Sequence, residues 1–208
     1  MFESTTDVST QSMVLPIYAY GHEALRRETE PVEANSDELQ ALIDNMIETM
    51  HNAAGIGLAA PQVGRTERLF VIDVTAMAEE MEADGEEIPP QPMVFINPEI
   101  VAESDAETEM EEGCLSIPEV REVVTRSERV RVRYLDRNFE EQEVEAGSVL
   151  ARVMQHEYDH LDGILFTDYL SSFRKRLLKR SLRQIAEGNI EAAYPIISKE
   201  DERVPAAQ

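Results

Sequence analysis

The sequence predicts an α+β fold, and three observations carry that prediction. Strand patterns fill the middle of the chain, in RLFVIDV (68–74), MVFINPEIV (93–101) and the alternating stretch 120–145. A 3.6-residue period brackets that region, at 36–52 and again after 147. The two periods do not alternate as they would in a parallel βα fold. With 208 residues and 42% apolar content, the chain can bury a real core, so wholesale disorder is excluded. One folded domain over 13–187 is expected, between a disordered N-terminal tail (1–12) and a charged C-terminal tail (188–208).

The elements follow in order. MVLPIYAYG (13–21) reads as a short extended segment closed by Gly21. Ser36 is a plausible N-cap for a helix over 36–52, with Asp37 and Glu38 in the first turn, where the dipole favours acids. Leu39, Leu42, Ile43, Met46, Ile47 and Met50 form its apolar stripe. RLFVIDV (68–74) and MVFINPEIV (93–101) read as strands, with Pro98 marking an edge or a bulge. Between them, the acidic stretch 76–92 reads as a solvated loop or insertion. Residues 120–145 read as an antiparallel meander. GSVLARVMQHEYDHLDG (147–163) returns to helical period, with Asp162-Gly163 as its stop, and a C-terminal helix is expected over about 170–187.

The formal net charge of −23 argues against a DNA binder or an anionic-membrane binder, whose affinity comes from basic patches. A single cysteine, Cys114, excludes an internal disulfide. No apolar run approaches the ~20 residues needed to cross a bilayer. The N-terminus, MFESTTDVSTQSM, has neither the basic nor the apolar part of a signal peptide, so a cytoplasmic location is expected.

His156-Glu157-Tyr158-Asp159-His160 is an HExxH pattern on a predicted helix. Residues four apart lie one above the other there, so both imidazoles can reach one metal ion, with Glu157 beside bound water. A catalytic centre needs a third protein ligand. No histidine follows His160, so the three-histidine peptidase pattern fails, and Glu187 or Glu191 would be ligands without motif support. Cys114 offers another answer. A lone cysteine is more often a small buried hydrophobe. Here Gly113 permits close approach and Pro118 interrupts strand pairing nearby. A thiolate is also a soft ligand that suits zinc or iron beside imidazoles.

Three motifs in order, GIGLAAPQVG (55–64), EGCLSIP (112–118) and QHEYDHLDG (155–163), make the sequence resemble the peptide deformylases of bacterial type with a C-terminal helix. The resemblance spans about residues 13–187 and implies β-strands surrounding a central, metal-binding HExxH helix. It implies one divalent ion held by Cys114, His156 and His160, with Fe2+ the native metal and Zn2+ or Ni2+ able to replace it. The implied reaction is hydrolysis of the N-formyl group from the initiator methionine of nascent polypeptides, releasing formate. Water bound to the metal would attack the formyl carbon. Glu157 would accept its proton and return it to the departing amine.

The resemblance further assigns oxyanion stabilisation to the Leu115 backbone N–H and the Gln62 side-chain amide. Ile56, Gly57 and Gly113 would bind the peptide through their main chains, like strands flanking an added strand. Val153, beside the ligands, is a candidate for the methionine pocket. Glu112 or Asp159 could orient a ligand imidazole or Gln62. Arg121 resembles a substrate-contacting arginine. The C-terminal helix concentrates Arg174, Lys175, Arg176, Lys179, Arg180 and Arg183 within 173–183. It reads either as a solvated face or as a docking helix for ribosomal RNA. Two other readings compete: an HExxH endopeptidase, and a non-catalytic binder of formyl-peptides or ribosomes.

Overall fold

The computed structural model of the protein describes residues 12–199 and 201. The expected N-terminal tail therefore lies almost wholly outside the described residues. Helices and strands mix as expected. In chain order they are β1 (Ile17–Tyr18), α1 (Asp37–Asn52), β2 (Gly57–Ala59), β3 (Leu69–Ile72), α2 (Ala78–Ala83), β4 (Met93–Glu103), β5 (Glu107–Cys114), β6 (Ile117–Ser127), β7 (Val130–Leu135), β8 (Glu141–Ala146), α3 (Ser148–Leu161), α4 (Ser172–Ala186) and β9 (Ile196–Ile197). An antiparallel five-stranded sheet runs in the order β2-β3-β4-β7-β8. β5 pairs with β6 in a separate hairpin, and β1 pairs with β9 in parallel.

The Ser36 hydroxyl accepts from the Leu39 N–H at 3.2 Å and starts α1. Leu39, Leu42, Ile43, Met46 and Met50 then pack on Leu69, Val71, Val94 and Ile96 of the sheet. The alternate side chains of β3 and β4, Phe70, Ile72, Met93 and Phe95, meet Val149, Leu150, Val153 and Met154 of α3 on the other face. β3 is apolar at every position because a helix covers each of its faces. Each fully buried large side chain contributes about 1.5–3 kcal/mol. α3 stops where Gly163 turns to a φ of +70°. A Cβ there would stand 3.0 Å from the Arg26 carbonyl oxygen, so the stop needs glycine twice over.

Several expectations need correction. The 76–92 stretch is not simply a loop: α2 lies within it, and Met81 is fully buried in the core beneath α3 while Glu79, Glu80 and Glu82 face outward. The meander over 120–145 is split. β6 joins β5, because its inward residues Ile117, Val120 and Val124 pack with Leu165, Phe166 and Leu182. β7 instead places Val130 and Val132 in the α3 core. Pro98 sits where the pairing of β4 with β7 shifts register, in an interior strand, so it marks a bulge and not an edge. Within residues 188–199, Ile196–Ile197 pair with β1 as β9.

Candidate metal centre and active site

α3 carries His156 and His160 one turn apart, with ring centroids 5.0 Å apart and planes at 80°. Cys114 ends β5 at the irregular pairing before the two-residue turn Leu115–Ser116. That turn brings its Sγ to 3.3 Å from His160 Nε2. One ligand atom each from Cys114, His156 and His160 lie within 4.8 Å of one another.

The donor chemistry fits a single divalent ion. His156 Nδ1 is 2.8 Å from Glu112 Oε2. Donating its proton there leaves Nε2 as the free lone pair. Burial opposes charge on His156, yet Cys114 and Glu112 push its pKa well above the usual imidazole range. The same anionic surroundings would favour a metal cation in place of that proton. Burial, reinforced by His156, holds His160 well below the usual range, neutral as a ligand must be.

Glu112 is the hub of a buried ion-pair cluster. Arg126 donates to both its oxygens (2.6 and 3.0 Å), and Arg152 adds a third bond at 2.8 Å. Burial alone would raise the Glu112 carboxyl, but hydrogen bonds from His156 and Arg126 outweigh it and hold the pKa well below the carboxylate range. Asp159 does not reach an imidazole or Gln62. It accepts from Arg126 at 2.6 Å and from the Tyr169 hydroxyl at 3.1 Å. Of the two carboxylates considered for orienting a ligand, Glu112 makes the contact.

Glu157 sits in the opposite environment. It is 4% exposed, its Oε2 has no hydrogen-bond partner, and burial pushes its pKa up to about 7. Gly57 makes room for it: a Cβ at that position would lie 2.8 Å from Glu157 Cδ and 2.9 Å from Cγ. The missing side chain at Gly57 thus accommodates the carboxylate, and the one at Gly55 accommodates Leu115.

Gln62 is fixed at both ends of its amide. Its Oε1 accepts from the Ala59 N–H at 2.8 Å, and its Nε2 lies 3.4 Å from Cys114 Sγ and 3.3 Å from Ser116 Oγ. A cleft of about 800 Å³ is lined by Gly57, Gln62, Cys114, Leu115, His156 and Glu157. Val153 and Arg121 also reach it. β2 is one edge of the five-stranded sheet, and β5 pairs on one side only, so two open strand edges exist near the cleft. The Ile56 carbonyl already accepts from the Asp73 N–H at 3.0 Å within the sheet.

Arg126, Arg152 and Tyr194 were missed by sequence reasoning. In β6 the buried positions are Ile117, Val120, Glu122, Val124 and Arg126. From Val120 onward these share one period-2 phase, which was the available signal for Arg126. Arg152 was likewise the one cation on an apolar helix. Tyr194 carried no local signal.

Two imidazoles and a thiol gathered on one helix and one strand end, with a buried protonatable carboxylate alongside, define the chemistry of a metal-dependent hydrolase. The polypeptide deformylase family model matches residues 14–176. The peptide deformylase of Salinibacter ruber is 72% identical over 194 residues, 93% of this chain and 100% of that protein. A Legionella pneumophila peptide deformylase superposes with TM-score 0.73 at 39% identity, covering 85% of this chain and 97% of the other. A peptide deformylase from Ehrlichia chaffeensis in complex with actinonin superposes with TM-score 0.76 at 36% identity, covering 86% and 99%. The chain belongs to the polypeptide deformylase family.

Proposed function

We propose that the protein removes the N-formyl group from the initiator methionine of nascent polypeptides, releasing formate and a free amine. The observation that carries this reading is the juxtaposition of Cys114, His156 and His160 at one cleft with the Glu157 carboxylate, whose Oε2 has no hydrogen-bond partner. In this reading α3 is the central metal-binding helix of the fold. A divalent ion, Fe2+ natively with Zn2+ or Ni2+ as substitutes, would be held by Cys114, His156 and His160, and supplies Lewis acidity that makes water nucleophilic at neutral pH.

The chain's own residues do the rest. Glu157 takes the proton of the attacking water and delivers it to the departing amine nitrogen as the C–N bond breaks. A carboxyl with a pKa near 7 exchanges protons readily in both directions at physiological pH. Gln62 Nε2, whose amide is locked by Ala59, and the Leu115 N–H donate to the developing oxyanion. Each such donor is typically worth about 3–4 kcal/mol in the transition state. Gly57 and Ile56 on the edge at β2, and Gly113 on β5, bind the peptide main chain. Recognition through main chain gives affinity with little sequence selectivity, which suits an enzyme serving many nascent chains. Val153 contributes to the methionine pocket.

Release of formate from a formyl-Met-Ala peptide by anaerobically purified protein, with metal analysis and a parallel casein assay, tests this reading. Casein cleavage without formate release would favour an endopeptidase. Binding without turnover would favour a non-catalytic role.

Ribosome docking through the basic helix over 173–183, in a cytoplasmic setting, is part of the proposal. Arg174 is engaged by Glu122 and Arg183 by Glu187, whereas Arg176, Lys179 and Arg180 are exposed with no partner among the described residues. No helix among the described residues is long and apolar enough to cross a membrane.

A further inference from the structure

The segment after α4 returns to the catalytic cleft. Its carbonyl at Pro195 accepts from the Ile17 N–H at 2.9 Å, and Ile197 accepts from the Ala19 N–H at 2.8 Å, so β1 fastens it on the far side. The intervening residues Glu191, Ala192, Ala193 and Tyr194 line the cleft. This segment lies beyond residues 14–176, the part of the chain that the family model matches. Tyr194 reaches across 79 positions of sequence to donate its hydroxyl to the Leu115 carbonyl at 2.7 Å.

The Leu115–Ser116 turn is short, and its hold on the site depends on what grips it. Ser116 O accepts from the Tyr20 N–H at 2.8 Å, and Ser116 Oγ is 3.3 Å from Gln62 Nε2. The Leu115 side chain fills the space left at Gly55. Tyr194 supplies the grip on the Leu115 carbonyl itself. We infer that Tyr194 is a positioning residue for the reaction. Its hydrogen bond to the Leu115 carbonyl fixes the turn whose Leu115 N–H points at the oxyanion. This inference rests on the oxyanion role proposed above for Leu115. Tyr194 touches no reacting atom, and it acts through the turn.

Tyr194→Phe keeps the ring and its packing while removing the hydroxyl. The experiment measures formate release from formyl-Met-Ala, metal content, thermal midpoint and amide hydrogen exchange of Leu115 and Ser116. We expect kcat to fall about tenfold, since small misplacements of catalytic groups carry large rate penalties. KM, metal content and thermal midpoint should stay at wild-type values, and exchange in the turn should accelerate. Wild-type exchange with wild-type kcat overturns the inference directly. Faster exchange with unchanged kcat also overturns it, by showing that Leu115 is not an oxyanion donor although Tyr194 does hold the turn. Activity lost in proportion to metal or thermal stability would make Tyr194 structural and overturns it as well.

Discussion

Gly57→Ala adds a single methyl group, and the structure says where it goes. Gly57 is absent from the residues with left-handed φ, so alanine fits the backbone without strain. The new Cβ would stand 2.8 Å from Glu157 Cδ and 2.9 Å from Cγ. That is roughly 0.6–0.7 Å inside the closest comfortable carbon contact of about 3.5 Å. Glu157 is buried on a packed helix, so its carboxylate must leave its position while the helix stays. A displacement approaching 1 Å of a proton-transfer group costs about 10²-fold in rate, or about 2.7 kcal/mol in the barrier. Overpacking should cost a further ~1–3 kcal/mol of stability. The main-chain N–H and C=O of residue 57 survive, so KM should change by no more than about threefold while kcat falls. Steady-state formate release with metal analysis separates these effects. A metal-replete Gly57→Ala protein with wild-type kcat would show that the carboxylate contact is irrelevant to turnover.

Further outcomes are expected. Glu157→Ala should retain metal and lose about 10²–10⁴-fold in kcat, read from formate release. In the metal-free protein the raised pKa of Glu157, about 7 against a reference of 4.5, makes its contribution to stability full below about pH 4.5 and lost as pH rises through 7. Denaturation at pH 5 and pH 7.5 should show Glu157→Gln flattening that slope, by at most on the order of 3 kcal/mol. Arg126→Met, which strips two hydrogen bonds from buried Glu112, should cost about 3–5 kcal/mol in chemical denaturation, and Glu112→Gln should weaken metal binding about 10–100-fold in a competition titration. Charge reversal at Arg176, Lys179 and Arg180 should abolish salt-sensitive cosedimentation with ribosomes and leave hydrolysis of a small formyl-peptide intact. Truncation would be a poorer probe, because residues 191–194 line the cleft.

The cluster of Cys114, His156 and His160 was legible because its signal is local. HExxH needs only helical period, and the EGCLSIP flanks single out one cysteine. The α1 stripe and the helical period of α3 were legible for the same reason, and Val149, Leu150, Val153 and Met154 of α3 are buried. What was lost depends on tertiary choice. The split between β6 and β7 turns on which core each strand joins, and both strands alternate apolar and polar residues equally well. Met81 was hidden among glutamates, where one buried side chain is enough to order a short helix. The contact between Gly57 and Glu157 was not legible. The missing side chain at Gly57 matters, but the group that needs the space comes from α3, 100 residues away in sequence, and no local pattern reports that.

The deepest physical feature of the site is that two carboxylates, both buried, are driven to opposite protonation behaviour. Glu112 receives two arginines and an imidazole N–H, so it remains an anion and can only orient and polarise His156. Glu157, whose Oε2 has no partner, bears the cost of burial with less compensation, so it can take up and release a proton near neutrality. Exchanging the environments would disable both. An uncompensated Glu112 would protonate and stop accepting from His156, and an arginine-paired Glu157 would be too weak a base for the role proposed for it. The contrast therefore follows from the placement of Arg126 and Arg152, both of which donate to Glu112.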